Sequence, residues 1–346
     1  MKNTARKISL ICTIIVLFTV IFTSCNTAAD NSSTTTTQTT ALTQTSVTPS
    51  TQTSTPAPDT TSTPTVTAAT PSSLTITDHY NRIVTVKNNP QRIISLSPAN
   101  TEIIFALGLG DRVVGVTDYS DYPPEAATKQ NVGSYDAPNI EQIVALEPDL
   151  VFATEEHQAE VTALENHGIT VVALNPGTVS EVLNSITLVG KLPGTDDVAA
   201  ALVADMHRRI DAIAAKTKTL TAAQKPRVFV VIWHDPIWTV GSGTFHDELI
   251  RMAGGVNVAG NLAGYTDISP ENVILDNPEV IIAGVGMGEG ADQSLVAMQT
   301  DARLKDIDAR VNGQVYGANM DIISRPGPRL AEALEALFKL IHPEMQ

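Results

Sequence analysis

The sequence predicts an α/β protein built as two related lobes, each with a mainly parallel sheet, bridged by one long helix. Three observations predict it. Between residues 74 and 346, short apolar strand segments alternate with amphipathic helical ones, the pattern of a sheet covered by helices. A fifteen-residue pattern beginning at Asn139 returns further along the chain, beginning at Ser269. Between the two copies, residues 196–219 are rich in Ala and show no strand pattern, which reads as one long helix.

The elements follow in order. Residues 74–87 alternate around the turn Asp78-His79-Tyr80-Asn81 and predict a hairpin. Residues 92–97 read as a buried strand, 98–107 as a helix stopped by Gly108, and 113–116 as a second strand. Helices are then expected at 140–146, 161–167 and 179–192, with strands at 150–153 and 171–174. After the long helix the alternation restarts with a strand at 228–232, following Pro226.

The repeat sharpens this reading. Asn139-Ile-Glu141 and Ser269-Pro-Glu271 each give a helix-capping residue and a carboxylate in the first turn, followed by a short helix, a Pro (148 and 278), an acid (149 and 279) and a buried strand. Fifteen matched positions within one chain point to duplication, and the cleft between two lobes is where a ligand is expected.

The N-terminus carries Lys2, Arg6 and Lys7, then an apolar run over 8–22, then Thr23, Ser24 and Cys25. Fifteen apolar residues fall short of the ~20 that span a bilayer, so the layout is that of a cleaved signal. Residues 1–24 resemble a bacterial lipoprotein signal, and Cys25 is the expected lipidation site. The only cysteines are Cys12 and Cys25, so no disulfide or Cys-ligated metal is expected in the folded part. Within residues 31–73, 31 positions are Thr, Ser or Pro and the only charge is Asp59, too little apolar surface to offset ordering entropy. Residues 25–73 are therefore expected to be the lipidated Cys and a disordered stalk, reaching roughly 35–40 Å as a flexible coil. The remaining domains are expected at 74–192 (first lobe), 193–223 (interlobe helix) and 224–346 (second lobe).

The 37 acidic against 22 basic residues give a net charge of -15 and exclude the basic footprint of a nucleic-acid binder. Enzyme signatures are sparse: there is no Walker loop and no G-x-S-x-G. The run Gly284-Val-Gly286-Met-Gly288-Glu-Gly290 misses the dinucleotide spacing, and it reads as a strand-end loop with no clear helix after it. The seven His are dispersed. His207 and His342 read as solvated helix residues, and His234 and His246, even with Asp235 or Asp247, fall short of a zinc ligand set, so no metal is expected. Tyr119, Tyr122, Tyr135 and Tyr265 fall at turns between strands and helices, and Trp233 and Trp238 flank a strand end. Together they suggest an aromatic-lined cleft for a large flat or amphipathic ligand.

Several motifs in order also carry a family resemblance. They are Ile-Ser-Leu-Ser-Pro-Ala-Asn-Thr-Glu at 94–102, Tyr-Ser-Asp-Tyr-Pro-Pro at 119–124, Gly-Ser-Tyr-Asp-Ala-Pro-Asn-Ile-Glu at 133–141, Trp-Thr-Val-Gly-Ser-Gly at 238–243 and Arg-Pro-Gly-Pro-Arg at 325–329. This stretch resembles the substrate-binding lipoproteins of ABC importers for cobalamin, ferric siderophores and haem. The resemblance implies a class III periplasmic-binding-protein architecture with little hinge motion, no enzymatic activity, and delivery of a bound ligand to a permease dimer driven by a cytoplasmic ATPase. It also implies a protein outside the cytoplasm, lipid-anchored to the membrane and working as a monomer. Residues 97–141 are most similar to the cobalamin-binding members, in which Trp stands at the places of Tyr135 and Tyr265 and a Tyr at that of Tyr119.

A corrinoid brings its own axial ligand and needs apolar and aromatic walls. Haem wants an axial His, Met or Tyr, and a carboxylate siderophore wants an Arg cluster. The expected ligand is thus a corrinoid, bound by Tyr119, Tyr135, Trp238, Tyr265 and Arg325, with a ferric siderophore or haem as the alternative. An envelope enzyme and a structural surface protein are the less favoured classes. Arg329 is expected to cap or pair with Glu332 on the last helix. Glu141 and Glu271, at matching places of the repeat, are the expected docking residues; in the resembling family such glutamates pair with permease arginines.

Overall fold

The computed structural model describes residues 73–286 and 292–345. The signal segment 1–24, Cys25 and the stalk through residue 72 lie outside the described residues. Strand pairing already begins at Ser73, opposite Lys87, one residue earlier than the sequence suggests.

Strands β1 (Ser73–Thr77) and β2 (Ile83–Lys87) form an antiparallel hairpin. The first lobe follows as β3 (Ile93–Ser95), α1 (Pro98–Ala106), β4 (Val113–Val116), β5 (Gln130–Asn131), α2 (Ile140–Ala145), β6 (Leu150–Ala153), α3 (Gln158–Asn166), β7 (Val171–Ala173) and α4 (Val179–Val189). Helix α5 (Asp196–Thr217) leads to the second lobe. That lobe comprises β8 (Arg227–His234), β9 (Ile237–Val240), α6 (Phe245–Met252), β10 (Val256–Asn257), β11 (Tyr265–Asp267), α7 (Pro270–Asp276), β12 (Val280–Val285), α8 (Gln293–Thr300), α9 (Asp308–Val311), β13 (Val315–Asn319), α10 (Met320–Ile323) and α11 (Leu330–Ile341). Helix α8 corrects the sequence reading of the glycine run, which anticipates no helix after the strand.

The first sheet runs β5-β4-β3-β6-β7 with every pairing parallel. The second runs β11-β9-β8-β12-β13, with β10 added in parallel to β8. Its β8-β12-β13 core is parallel, but β9 and β11 are antiparallel. The β8–β9 hairpin is what brings Trp233 opposite Trp238 as cross-strand partners, which share one face of a sheet.

The repeated acid fastens each sheet. Asp149 accepts the backbone N–H groups of Gln91 (2.9 Å) and Arg92 (3.0 Å), and its own N–H donates to the Arg92 carbonyl. Glu279 does the same to Arg227, accepting its N–H at 2.8 Å and donating to its carbonyl. The two arginines return Nε hydrogens to carbonyls beyond the preceding helix, Leu146 and Glu147 in one lobe and Asn277 in the other. Glu147 and Asn277, at matching places of the repeat, both sit in the left-handed region (φ 44° and 41°), which ends the helix before the Pro. The duplication is therefore legible in hydrogen bonds as well as in sequence.

One hydrophobic cluster spans both lobes, from Ile76 and Val86 of the hairpin through Leu183 and Ile186 of α4 and Ile210 and Ile213 of α5 to Leu334 and Phe338 of α11. Separate clusters fill the opposite faces, around Ile143 and Leu164 in the first lobe and around Val273 and Met298 in the second. Arg209 of α5 holds Glu335 of α11 with two bonds of 2.7–2.8 Å. A shared, close-packed layer transmits strain rather than yielding to it, which opposes large lobe motions.

Candidate functional site

Among the described residues, two compartments of the cleft share Met320 and Ser324. The first, about 570 Å³, is lined by Asn100, Tyr119, Tyr135, Asp136 and Thr154 from the first lobe and by Asp321, Ser324 and Arg325 from the second. The second, about 510 Å³, is lined by Ile232, Trp233, Trp238, His246 and Tyr265. Each lies within the about 300–1,000 Å³ common for small-molecule sites. Tyr119, Tyr135 and Arg325 thus reach the first compartment and Trp238 and Tyr265 the second. Glu141 and Glu271 are instead exposed on the first turns of α2 and α7.

The rings stand open to solvent: Tyr119 is 61 % exposed and Tyr265 49 %. Tyr119 also has φ 61°, a left-handed conformation that costs a non-glycine residue of order 1–3 kcal/mol. Hydrogen bonds from the Asp118 N–H to the Gly133 carbonyl and from the Ser120 N–H to the Thr117 carbonyl hold it there. Tyr135 is half-buried, and loss of hydration pushes its hydroxyl up to about 12. Burial raises Tyr265 as well.

Behind Tyr265 lies His246, 4 % exposed. Its Nδ1 is 3.2 Å from the Tyr265 hydroxyl and its Nε2 3.0 Å from Ser324 Oγ, whose hydrogen goes to Met320 Sδ. One neutral tautomer satisfies the set: Nε2–H donates to Ser324, and Nδ1 accepts from Tyr265. Burial pushes this imidazole down to about 4. The unfolded chain takes up a proton at this ring near pH 6.5 and the folded chain only near 4. Its contribution to stability is therefore whole above about pH 6.5 and is lost as the pH falls toward 4, by about 3 kcal/mol. Urea unfolding at pH 7 and pH 4.5 should accordingly show a shallower pH dependence for His246→Gln than for the wild type; equal slopes would refute the assignment.

Beneath the first compartment, where Arg325 reaches the lining, an ion-pair clasp joins the lobes. Glu102 of α1, 2 % exposed, accepts two bonds from Arg329 (2.6 and 2.9 Å) and one from Arg325 (3.3 Å). Arg325 further bonds Asp121 (2.8 Å) and Asp321 (2.5 Å), while the Arg329 guanidinium lies 4.0 Å from the centre of the Tyr122 ring. Burial pushes the Glu102 carboxyl up, against the pull of both guanidiniums. Arg329 does stand at the start of the last helix and feels the Glu332 charge, but its side-chain bonds go across the lobes to Glu102. Among the described residues lining the cleft, Arg325 is the sole Lys or Arg, and three carboxylates already surround it.

Sequence reasoning missed Glu102 and His157. The signal for Glu102 was a lone carboxylate in an apolar helix, which needs a partner when buried. His342, expected to be solvated, is 1 % exposed and packs 5.4 Å from the Phe338 ring at the end of α11. Among the described residues, no group of three or more His, Cys, Asp or Glu could hold a metal ion.

The chain is similar to several known proteins. A family described as periplasmic binding protein matches residues 93–321. A Bacillus subtilis (strain 168) protein named uncharacterized ABC transporter substrate-binding lipoprotein YvrC is 35% identical over 277 residues, covering 78% of this chain and 86% of its own. The crystal structure of the periplasmic vitamin B12 binding protein BtuF of Vibrio cholerae has a TM-score of 0.64 and 30% identity, covering 74% of this chain and 98% of its own. The periplasmic heme-binding protein RhuT from Roseiflexus sp. RS-1, in apo form, has a TM-score of 0.66 and 26% identity, with coverages of 74% and 99%.

Proposed function

This chain belongs to the periplasmic binding protein family, as a solute-binding protein of an ABC importer, and from that premise we propose that it captures a corrinoid between its lobes for delivery to the permease. The observation that carries the ligand class is a cleft with aromatic walls from both lobes and no unmatched Lys or Arg among its described lining residues. Anionic ligands, such as carboxylate siderophores or the propionates of haem, call for spare guanidiniums. Arg325 is engaged by Glu102, Asp121 and Asp321. A neutral or cationic macrocycle edged with amides suits an acceptor-rich cleft better. The strained Tyr119 and the V. cholerae likeness support the same reading.

Calorimetry of the full chain should give heat with cyanocobalamin. Silence with it and heat with a ferric siderophore or haemin would reverse the ligand class. Tyr135→Ala and Tyr265→Ala should each weaken binding by roughly 1–3 kcal/mol, the value of an aromatic ring buried against a ligand. Unchanged affinity in both would return these rings to mere packing.

The same reading makes the protein a non-enzymatic monomer, held outside the cytoplasm through acylated Cys25, with the stalk as tether. Cys25→Ser should then move it from the membrane to the soluble fraction without changing ligand affinity. Retention on the membrane would mean that the apolar run is an uncleaved anchor.

A further inference from the structure

Tyr135 and Tyr265 each stand four positions before the capping residue of their copy of the repeat, Asn139 and Ser269, so they hold equivalent places in the two lobes. Each has a buried histidine against its edge. The Tyr135 and His157 rings are 5.2 Å apart at 80°, and the Tyr265 and His246 rings 5.8 Å apart at 87°. His157 follows its tyrosine in the chain whereas His246 precedes its own, so the same support is built twice from unrelated places in the repeat.

The contacts in the first lobe act on the backbone. The Thr154 N–H donates to His157 Nδ1 at 3.1 Å, which leaves Nε2–H to donate to the Tyr135 carbonyl at 2.6 Å. The N–H of Tyr135 donates to Asp118 Oδ1 at 2.9 Å, so the peptide groups on both sides of its Cα are fixed. In the second lobe the contact acts on the side chain, because His246 Nδ1 receives the Tyr265 hydroxyl while its other nitrogen is anchored on Ser324. His157 is 1 % exposed and His246 4 %, whereas Tyr265 keeps half its surface open to the cleft. A ring tethered before the ligand arrives loses little rotamer freedom on binding.

We propose that His157 and His246 are positioning residues, which hold the two repeat-related tyrosines in the orientation that the ligand meets. The inference rests on the reading of Tyr135 and Tyr265 as ligand contacts. It separates two tasks in each lobe: a ring that reaches the cleft, and a buried imidazole that aims it. In this role the imidazoles act through the tyrosines; His246 also borders the second compartment, and the cycle with Tyr265→Phe separates the tether from any direct contact.

The test is a double-mutant cycle on the full chain, read by calorimetry with cyanocobalamin. His246→Leu and Tyr265→Phe should each weaken binding about 3- to 10-fold, the range for one lost hydrogen bond. The double variant should be no weaker than either single one, because both remove the same tether. His157→Leu should weaken binding to a similar degree, and His157→Gln, which keeps a donor for the Tyr135 carbonyl, should recover most of it. Thermal melts accompany each variant, and where a leucine variant does not fold, Tyr265→Phe removes the same bond from the exposed side. If Tyr135→Ala and Tyr265→Ala weaken binding but Tyr265→Phe and His157→Leu do not, the positioning role is wrong. Strictly additive losses in the cycle would also overturn it. Unchanged affinity in both alanine variants would instead overturn the ligand-contact reading beneath it.

Discussion

Glu102→Ala should destabilise the folded chain by about 3–5 kcal/mol, because it strips a carboxylate from two guanidiniums that stay largely buried. The Arg329 side chain is 13 % exposed and that of Arg325 10 %. Arg325 keeps Asp121 and Asp321, whereas Arg329 keeps the Asp321 carbonyl, the Tyr122 ring face and the more distant charge of Glu332. The loss therefore falls mainly on Arg329. Urea unfolding followed by circular dichroism measures it, and a cost under about 1 kcal/mol would show that water compensates the stranded charge. Replacing both members, Glu102→Leu with Arg329→Met, should recover much of the loss, since a buried pair is often no better than apolar residues of similar volume. The clasp is thus expected to specify how the lobes meet more than to add stability. If the paired variant is as unstable as Glu102→Ala, the clasp contributes net stability instead.

Glu141→Lys combined with Glu271→Lys should leave cyanocobalamin binding intact and abolish uptake in cells. Both residues are exposed, and neither lines the cleft. Capping does not require them: Asn139 Oδ1 accepts the Gln142 N–H at 3.1 Å, and Ser269 Oγ accepts the Asn272 N–H at 3.3 Å. Glu271 does keep a local role, since its own backbone N–H and the Ser269 hydroxyl hold its carboxyl below the usual range. That role accounts for one acidic residue at one helix start. Two at matching places of a duplicated fold present one acidic knob per lobe, which suits a permease dimer with a basic pocket on each subunit, and reversed charge there sets like against like. Normal uptake by the double variant would leave both as helix-start carboxylates.

Most of the architecture was legible because its signals are local. The capping residues Asn139, Thr178, Thr244 and Ser269 each accept a backbone N–H within three residues, and left-handed Gly108 and Gly168 follow helices α1 and α3. Period-two and period-3.6 patterns likewise need only a neighbour or a turn to be read. Where those signals are weak, the reading fails. Helix α8 begins at Gln293 without a side-chain cap and carries little amphipathic pattern, so nothing in its sequence announces it. The site was legible as a set of aromatics at strand ends, but not as two compartments.

The sequence by itself determined the duplication, the alternation of strands and helices, the acidic charge and the aromatic character of the cleft, since each is a property of residue type and spacing along the chain. Only the tertiary structure decided which groups meet. Glu102 finds its arginines 223 and 227 positions away, His246 finds Ser324 at 78, and Arg329 turns from its helical neighbour to the other lobe. A buried carboxylate announces that it needs a cation, because leaving it unpaired in a low-dielectric interior costs too much. Which cation answers depends on how two sheets close against one shared layer of helices. That packing is a sum over many distant contacts, and no window of sequence contains it.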